Sequence, residues 1–169
     1  MAGLKLDIIQ EPPFSSVEEE AFLNLLRTSD LLHREFHRRT RDWGVTSTQY
    51  NVLRILRGAH PGGLTCAAIG SRMITSDPDI TRLLGRLKAL KLVRQRRDRR
   101  DRRAVWTHIS EGGLELLKTM DPHIEQIPRE LLGHLTATEL AEMIRLLELA
   151  RKSADEADAI NCDGECKQA

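Results

Sequence analysis

The sequence predicts a mostly α-helical protein that carries one small β-hairpin. Leucine recurs at three- and four-residue steps through most of the chain, which lines one face of a helix. Aromatic residues make up only 4% of the chain, so the core must be aliphatic. The apolar–polar alternation that marks strands is confined to "KLVRQRR" and "RAVWTHIS". Between these runs lies the densest charge in the molecule, with seven arginines in residues 94–106, interrupted by Asp98 and Asp101. At 169 residues and 40% hydrophobic composition, the chain can form one domain, or one domain with a helical extension.

Residues 1–15 read as an arm, because Pro12 and Pro13 forbid a helix through them. A long helix is expected from about Ser16 to Asp42. Its apolar stripe of Val17, Ala21, Phe22, Leu25, Leu26, Leu32 and Phe36 is long for a lone surface helix and implies a packing partner. Gly44 is the expected stop. Thr46 and Gln49 form a capping box for a helix that buries Val52, Leu53, Ile55 and Leu56. "HPGG" at 60–63 breaks the chain, and Thr65 caps a short helix, "CAAIGSRM", whose small residues admit a close neighbour.

Ser76 is read as the next N-cap, with Asp79 three positions on and Pro78 in the first turn. The helix that follows is apolar on Ile80, Leu83, Leu84, Leu87 and Leu90, and shows Thr81, Arg82, Gly85, Arg86 and Lys88 on its other face. After the hairpin, Ser110 opens a helix with Leu114, Leu116, Leu117 and Met120, kinked or interrupted by Pro122 and Pro128. Thr136 and Glu139 box the start of a last helix carrying Leu140, Ile144 and Leu147. From Ser153 on the chain is polar and acidic and is expected to be disordered.

The formal net charge of +1 hides a strong asymmetry. Residues 82–103 hold eleven Lys/Arg against two Asp/Glu, whereas residues 104–169 hold six against thirteen. A local surplus of this size suits a polyanion-binding surface. No apolar run approaches a membrane span of about 18 residues, and "MAGLKLDIIQEPPF" lacks a basic-then-apolar signal layout, so a cytoplasmic protein is expected. Three cysteines do not make a disulfide framework. Cys162 and Cys166 read as incidental thiols, a redox switch or half a metal site. There is no Gly-rich phosphate loop, nucleophile elbow or HExxH, so an enzyme is not expected and no cofactor is implied.

Helix, short helix, cationic helix and basic hairpin, in that order, is the layout of a winged helix-turn-helix. In that motif the second helix of the turn enters the major groove of double-stranded DNA. Arginines at the hairpin tip suit the narrow, strongly negative minor groove. Asp98 and Asp101 read as turn-formers and as braces that hold arginine forks straight. On the cationic helix, Ser76, Asp79, Thr81, Arg82 and Arg86 are the candidate DNA contacts, with Arg82 best suited to reading guanine. Asp79 either completes the helix cap or accepts from cytosine. Arg94, Arg96 and Arg97 alternate along a strand, so some of them must point away from DNA.

The pieces "TSTQYNVLRIL", "GGLTCAAIGSRM", "SDPDITRLLGRLKALKLV", "RRDRRDRRAVWTHIS", "EGGLELL" and "LTATELAEMIRLLELA" together resemble a MarR-type (multiple antibiotic resistance regulator) transcription factor over roughly residues 17–150. The resemblance implies a winged helix-turn-helix with N- and C-terminal dimerisation helices, and a homodimer on an inverted repeat, most often a repressor. The organisation is then an arm at 1–15, a dimerisation region from 16–42 and 110–152, a DNA-binding domain at 43–109, and a tail at 153–169. The resemblance places a minor-groove arginine at Arg103, braced by Asp101, with Arg102 adjacent and Arg99 and Arg100 at the tip or on phosphates. It also implies a pocket for a small aromatic or anionic effector, with His33, His37, Arg41, Trp43 and Tyr50 as the nearby candidates. The spacing of His33 and His37 suits one metal ion, but no third ligand is evident and no metal site is expected. The early cysteine that oxidation-sensing relatives use is missing. An effector-independent architectural DNA-binding protein is the alternative.

Overall fold

The computed structural model describes residues 3–75, 79–98 and 104–165, from 154 onward as backbone only. In chain order the elements are α1 (Leu4–Asp7), α2 (Val17–Arg41), α3 (Ser47–Gly58), β1 (Leu64–Thr65), α4 (Cys66–Gly70), α5 (Ile80–Ala89), β2 (Val93–Arg97), β3 (Val105–Ile109), α6 (Glu111–Ile124), α7 (Gln126–Leu132) and α8 (Ala137–Glu165). They divide into two compact units, Met1–Ile127 and Pro128–Ala169. No described helix is long and apolar enough to cross a membrane.

The first unit is organised around α3. The Thr46 hydroxyl accepts from the Gln49 N–H at 3.2 Å, and Gln49 Oε1 accepts from the Thr46 N–H at 2.9 Å. This reciprocal box satisfies two N-terminal donors. Val52, Leu53 and Leu56 on α3, Ile69 on α4 and Leu87 on α5 are fully buried, with Val93, Ile109, Leu117 and Met120 around them. Arg57 Nη1 ties α3 to α6 through Asp121 Oδ2 at 2.5 Å.

The sheet has three antiparallel strands in the order β1-β3-β2. The hairpin register runs from Val93↔Ile109 to Arg97↔Val105. Strand β1, which pairs Leu64 with Thr107 and Thr65 with Trp106, adds a third strand to the expected hairpin. Two residues are too few for alternation to be visible, and pairing with a strand forty residues away defines it.

Several boundaries differ from the sequence reading. Helix α5 starts at Ile80, and its N-cap is Asp79, not Ser76, because Asp79 Oδ1 accepts the Arg82 N–H at 2.9 Å. Leu90 is 49% exposed, since it follows the last turn of α5 rather than sitting on its buried face. Ile55 is only half-buried. The arm contains one helical turn, α1, with Leu4 buried. Helix α6 runs through Pro122, and the break falls at Glu125. The expectation of a disordered tail from Ser153 is corrected as far as residue 165, because α8 continues to Glu165. Ala154, Ala157 and Ala159 favour helix, and no glycine or proline intervenes before Gly164.

Helix α2 is the exception to burial. Only Thr40 is buried along its 25 residues, and Val17 (79%), Phe22 (59%) and Leu26 (51%) are exposed. Ser16 caps it, accepting the Glu19 N–H at 3.1 Å, while the Glu19 carboxylate accepts from the Ser15 N–H and O–H at 2.6 and 2.7 Å. Those two bonds hold the Glu19 carboxyl below its ordinary range. Gly44, at φ 74°, ends the helix in the left-handed region, as the sequence predicts. In the second unit, Thr136 and Glu139 cap α8 reciprocally, with bonds of 2.8 and 3.3 Å.

Gly113 lets α6 approach the hairpin base. A Cβ there would lie against the Leu92 carbonyl and 2.7 Å from Ile109 Cγ1, whereas one at Gly112 meets nothing closer than 3.7 Å. Gly113→Ala is therefore expected to lower unfolding free energy by about 1–3 kcal/mol. Gly112→Ala should be neutral or stabilising by up to about 1 kcal/mol. Urea titrations at one protein concentration check the pair, and equal effects would refute the close-approach account.

Candidate nucleic-acid interface

Helix α5 buries Leu83, Leu84 and Leu87, which turns Thr81, Arg82, Gly85, Arg86 and Lys88 outward. Its start is held from three sides. Asp79 caps Arg82. The Cys66 sulfur of α4 lies 3.9 Å from Thr81 Oγ1. Asn51 Oδ1 of α3 accepts the Ile74 N–H at 3.1 Å in the turn that precedes α5. The Asp79 carboxylate therefore serves the helix cap, which accounts for an acid in a basic surface. Ser76 lies outside the described residues.

The hairpin is anchored at one end and charged at the other. Val93 and Ile109 are 2% exposed at its base, and Thr107 is buried at its centre. Arg94, Arg96 and Arg97 are exposed along β2. None of these three, nor Arg82 or Arg86, makes an ion pair among the described residues. The Asp98 N–H donates to the Ala104 carbonyl at 2.9 Å, closing the ladder below the tip. The candidate tip contacts Arg99, Arg100, Asp101, Arg102 and Arg103 lie outside the described residues.

Trp106 is the wing residue that sequence reasoning missed. Its indole Nε1–H donates to Asp98 Oδ2 at 3.1 Å. Asp98 thus pins the two strands diagonally where the arginine-rich segment begins. The signal was an aromatic at an alternating position opposite a carboxylate near a turn, which becomes informative only once the register is known.

A second feature is an open groove of about 810 Å³ whose walls come from α2, α3 and α5. His33, His37 and Arg41 line it from α2, Ser47 from the start of α3, and Leu83 and Arg86 from α5. The two imidazoles stack with centroids 6.4 Å apart, and His37 Nδ1 lies 3.3 Å from the Ser47 hydroxyl. No group of three His, Cys, Asp or Glu among the described residues is placed to hold a metal.

Two expected members of this site stand elsewhere. Tyr50 is a core residue, 3% exposed and edge-on to Phe36 at 5.9 Å, because its position on α3 faces α2. Burial pushes its hydroxyl above the ordinary range. Trp43 packs on His123 at 5.1 Å beside a separate cavity of about 290 Å³.

The groove is cationic. Arg34 pairs with Asp30 at 2.9 Å, while Arg38 and Arg39 share Glu35 at 2.7 and 2.8 Å. Arg41 and Arg86 have no acidic partner among the described residues. The bonds from Arg38, then Arg39, lower the Glu35 carboxyl to about 2.

Two tests follow from this geometry. Asp98→Ala should unpin the wing and weaken DNA binding several-fold, and Asp98→Asn, which retains an acceptor for the indole, should restore part of the loss. Fluorescence anisotropy measures both; equal losses would assign Asp98 a charge role instead. The folded-state carboxyl of Glu35 is depressed, so its contribution to stability is present above the ordinary carboxylate range and is lost as pH falls toward about 2. Arg38→Gln should move the Glu35 midpoint upward in a carboxyl NMR titration, and an unmoved midpoint would discount the pair.

The chain is similar to known proteins over most of its length. A family model described as the MarR family matches residues 43–104. A MarR transcription factor from Planctomyces limnophilus is 39% identical, with 81% of this chain and 99% of that one covered and a TM-score of 0.64. BpsR of Bordetella bronchiseptica, whose DNA binding is regulated by 6-hydroxynicotinic acid, is 28% identical over 76% of this chain and 96% of its own, with a TM-score of 0.66. Sco3205, a MarR family regulator from Streptomyces coelicolor solved in complex with DNA, shares the fold at 18% identity and a TM-score of 0.75, covering 85% and 92% of the two chains. No curated protein matches the chain in sequence. With a capped cationic helix, an anchored basic hairpin and this degree of identity to a full-length relative, the chain belongs to the MarR family of winged-helix transcription regulators.

Proposed function

We propose that the protein is a dimeric, sequence-specific repressor that reads an inverted repeat and is released by a small anionic or aromatic molecule. Helix α5 enters the major groove, with Thr81 and Arg82 at base edges. The wing at 97–104 reaches the minor groove, with Arg103 inserted and braced by Asp101. Arg99, Arg100 and Arg102 contact the flanking backbone, as does Ser76 before the helix.

The observation that carries the reading is the composition of the 810 Å³ groove. One wall is the long helix α2, and the other is the DNA-reading helix itself, through Leu83 and Arg86. A molecule seated there touches both. It shifts the DNA-binding equilibrium only by its differential affinity for the two placements of α5. His33, His37, Arg41 and Arg86 favour an anion, and the acid that regulates BpsR is a small aromatic molecule of that class. The exposed stripe on α2 supports the dimer, since burying Phe22, Leu25 and Leu26 would supply roughly 1.5–3 kcal/mol each.

Anisotropy on DNA upstream of the protein's own gene, against random DNA across a salt series, tests the reading. A regulator prefers one inverted repeat; equal, steeply salt-dependent binding to both would favour an architectural protein. Arg82→Ala should cost about 1–3 kcal/mol and relax specificity at one base pair. Arg103→Ala should weaken binding at the wing. Phe22→Asp with Leu26→Asp should yield monomers in sedimentation and abolish inverted-repeat preference. 6-Hydroxynicotinic acid is the first probe of release. If it and related aromatic acids bind, Arg41→Ala should weaken them, and an unchanged affinity would remove the groove from the mechanism.

A further inference from the structure

A second basic groove, of about 610 Å³, lies at the base of the wing rather than at its tip. Lys88 reaches it from the last turn of α5, Lys91 from the turn that follows, and Arg94 from β2, while Ser110, Glu111 and Gly112 close it at the start of α6. None of the three cations makes an ion pair among the described residues. Attraction to the carbonyl end of α5 accounts for a cation at Lys88, but Arg94 stands on a strand and needs another reason.

The backbone adds donors to the same place. Ser110 Oγ caps only the Gly113 N–H, at 3.1 Å. The N–H groups of Glu111 and Gly112 open α6 and have no carbonyl four residues back to accept them within the helix. Lys91 holds a φ of 61°, the left-handed position after α5 where glycine is the unstrained choice. A lysine kept at that position puts charge at the groove in place of an easier turn. Three cations and the Glu111 carboxylate leave a surplus of two positive charges, which matches a phosphoryl dianion better than a carboxylate.

We propose that this groove binds a phosphoryl group, through Lys88, Lys91 and Arg94 with the first amides of α6. The site is distinct from the DNA-reading surface. Arg94 is four residues from Asp98, roughly 13 Å along the strand, and Lys88 is at the far end of α5 from its capped start. The phosphoryl group belongs either to a free phosphate ester or to the backbone of DNA that continues past the wing. The proposal rests on family membership and is independent of effector release and of dimerisation.

The test uses the full-length protein with inorganic phosphate, read from amide NMR spectra, and its operator DNA, read from salt dependence. Saturable shifts of the Glu111 and Gly112 amides with phosphate, absent with chloride at equal ionic strength and lost in a Lys88→Gln, Lys91→Gln, Arg94→Gln triple variant, would establish binding of the free group. If free phosphate has no effect, but the triple variant lowers the slope of log Kobs against log salt by about 0.9 per lost contact, the group is supplied by DNA. Lys91→Gly keeps the turn and removes one cation, so it should weaken whichever signal appears while leaving the fold intact. Amide shifts that chloride reproduces, or no amide shift together with an unchanged slope, would overturn the proposal.

Discussion

The buried side of α5 is the constraint on which the rest of the DNA-binding unit depends. Leu84 and Leu87 are removed from water against the aliphatic core built by Val52, Leu53 and Leu56 of α3, and that burial is non-directional but large, roughly 1.5–3 kcal/mol per side chain. Because leucines at this spacing occupy one stripe of a helix, driving them inward turns Thr81, Arg82, Gly85, Arg86 and Lys88 outward. The charge of the surface is thus a consequence of the core. The Asp79 cap, the Thr81–Cys66 contact and the Asn51 bond to Ile74 then set where the helix begins. A reading helix must be fixed to within a fraction of a turn for its side chains to meet particular base edges.

The hairpin solves a complementary problem. A segment rich in arginine repels itself and contributes little apolar surface, so it has no means of ordering its own strands. The structure anchors it at the opposite end, where Val93 and Ile109 enter the core and Gly113 allows α6 to close over them. The Asp98–Trp106 bond carries that order outward along the ladder. Charge and stability are thereby separated along one pair of strands. The same separation leaves cations at the base, beside the start of α6, as well as toward the tip.

Helix α2 joins these features to regulation. Its first half presents an unpartnered apolar stripe, while its second half carries the imidazoles and guanidiniums that face α5 across the larger groove. Coupling of this kind needs a contiguous element touched by both sites, and α2 with α5 is such an element. Glu35 holds Arg38 and Arg39, so part of the positive charge of α2 is already neutralised, and the unpaired share rests with Arg41 and Arg86.

Local chemistry was legible from the residues because its causes are local. The boxes at Thr46–Gln49 and Thr136–Glu139 need only a hydroxyl and a carboxamide or carboxylate three positions apart, and Gly44 needs only its missing Cβ. Leucine spacing identified the buried face of α5, and the concentration of arginine identified the basic wing. What the sequence could not decide was the choice between locally equivalent options. Ser76 and Asp79 are both competent caps, and where α5 starts to pack selected Asp79. Tyr50 could have faced a pocket or the core, and contact with Phe36 placed it inside. Strand β1 exists only as a partner of β3, and Trp106 finds Asp98 only in the register the core imposes. The sequence by itself determined the helices, their caps and the location of charge, because these follow from interactions within a few residues. Tertiary structure alone decided the start of the reading helix, the bracing of the wing and the membership of both grooves, because each depends on long-range burial selecting one of several arrangements that the local chain permits.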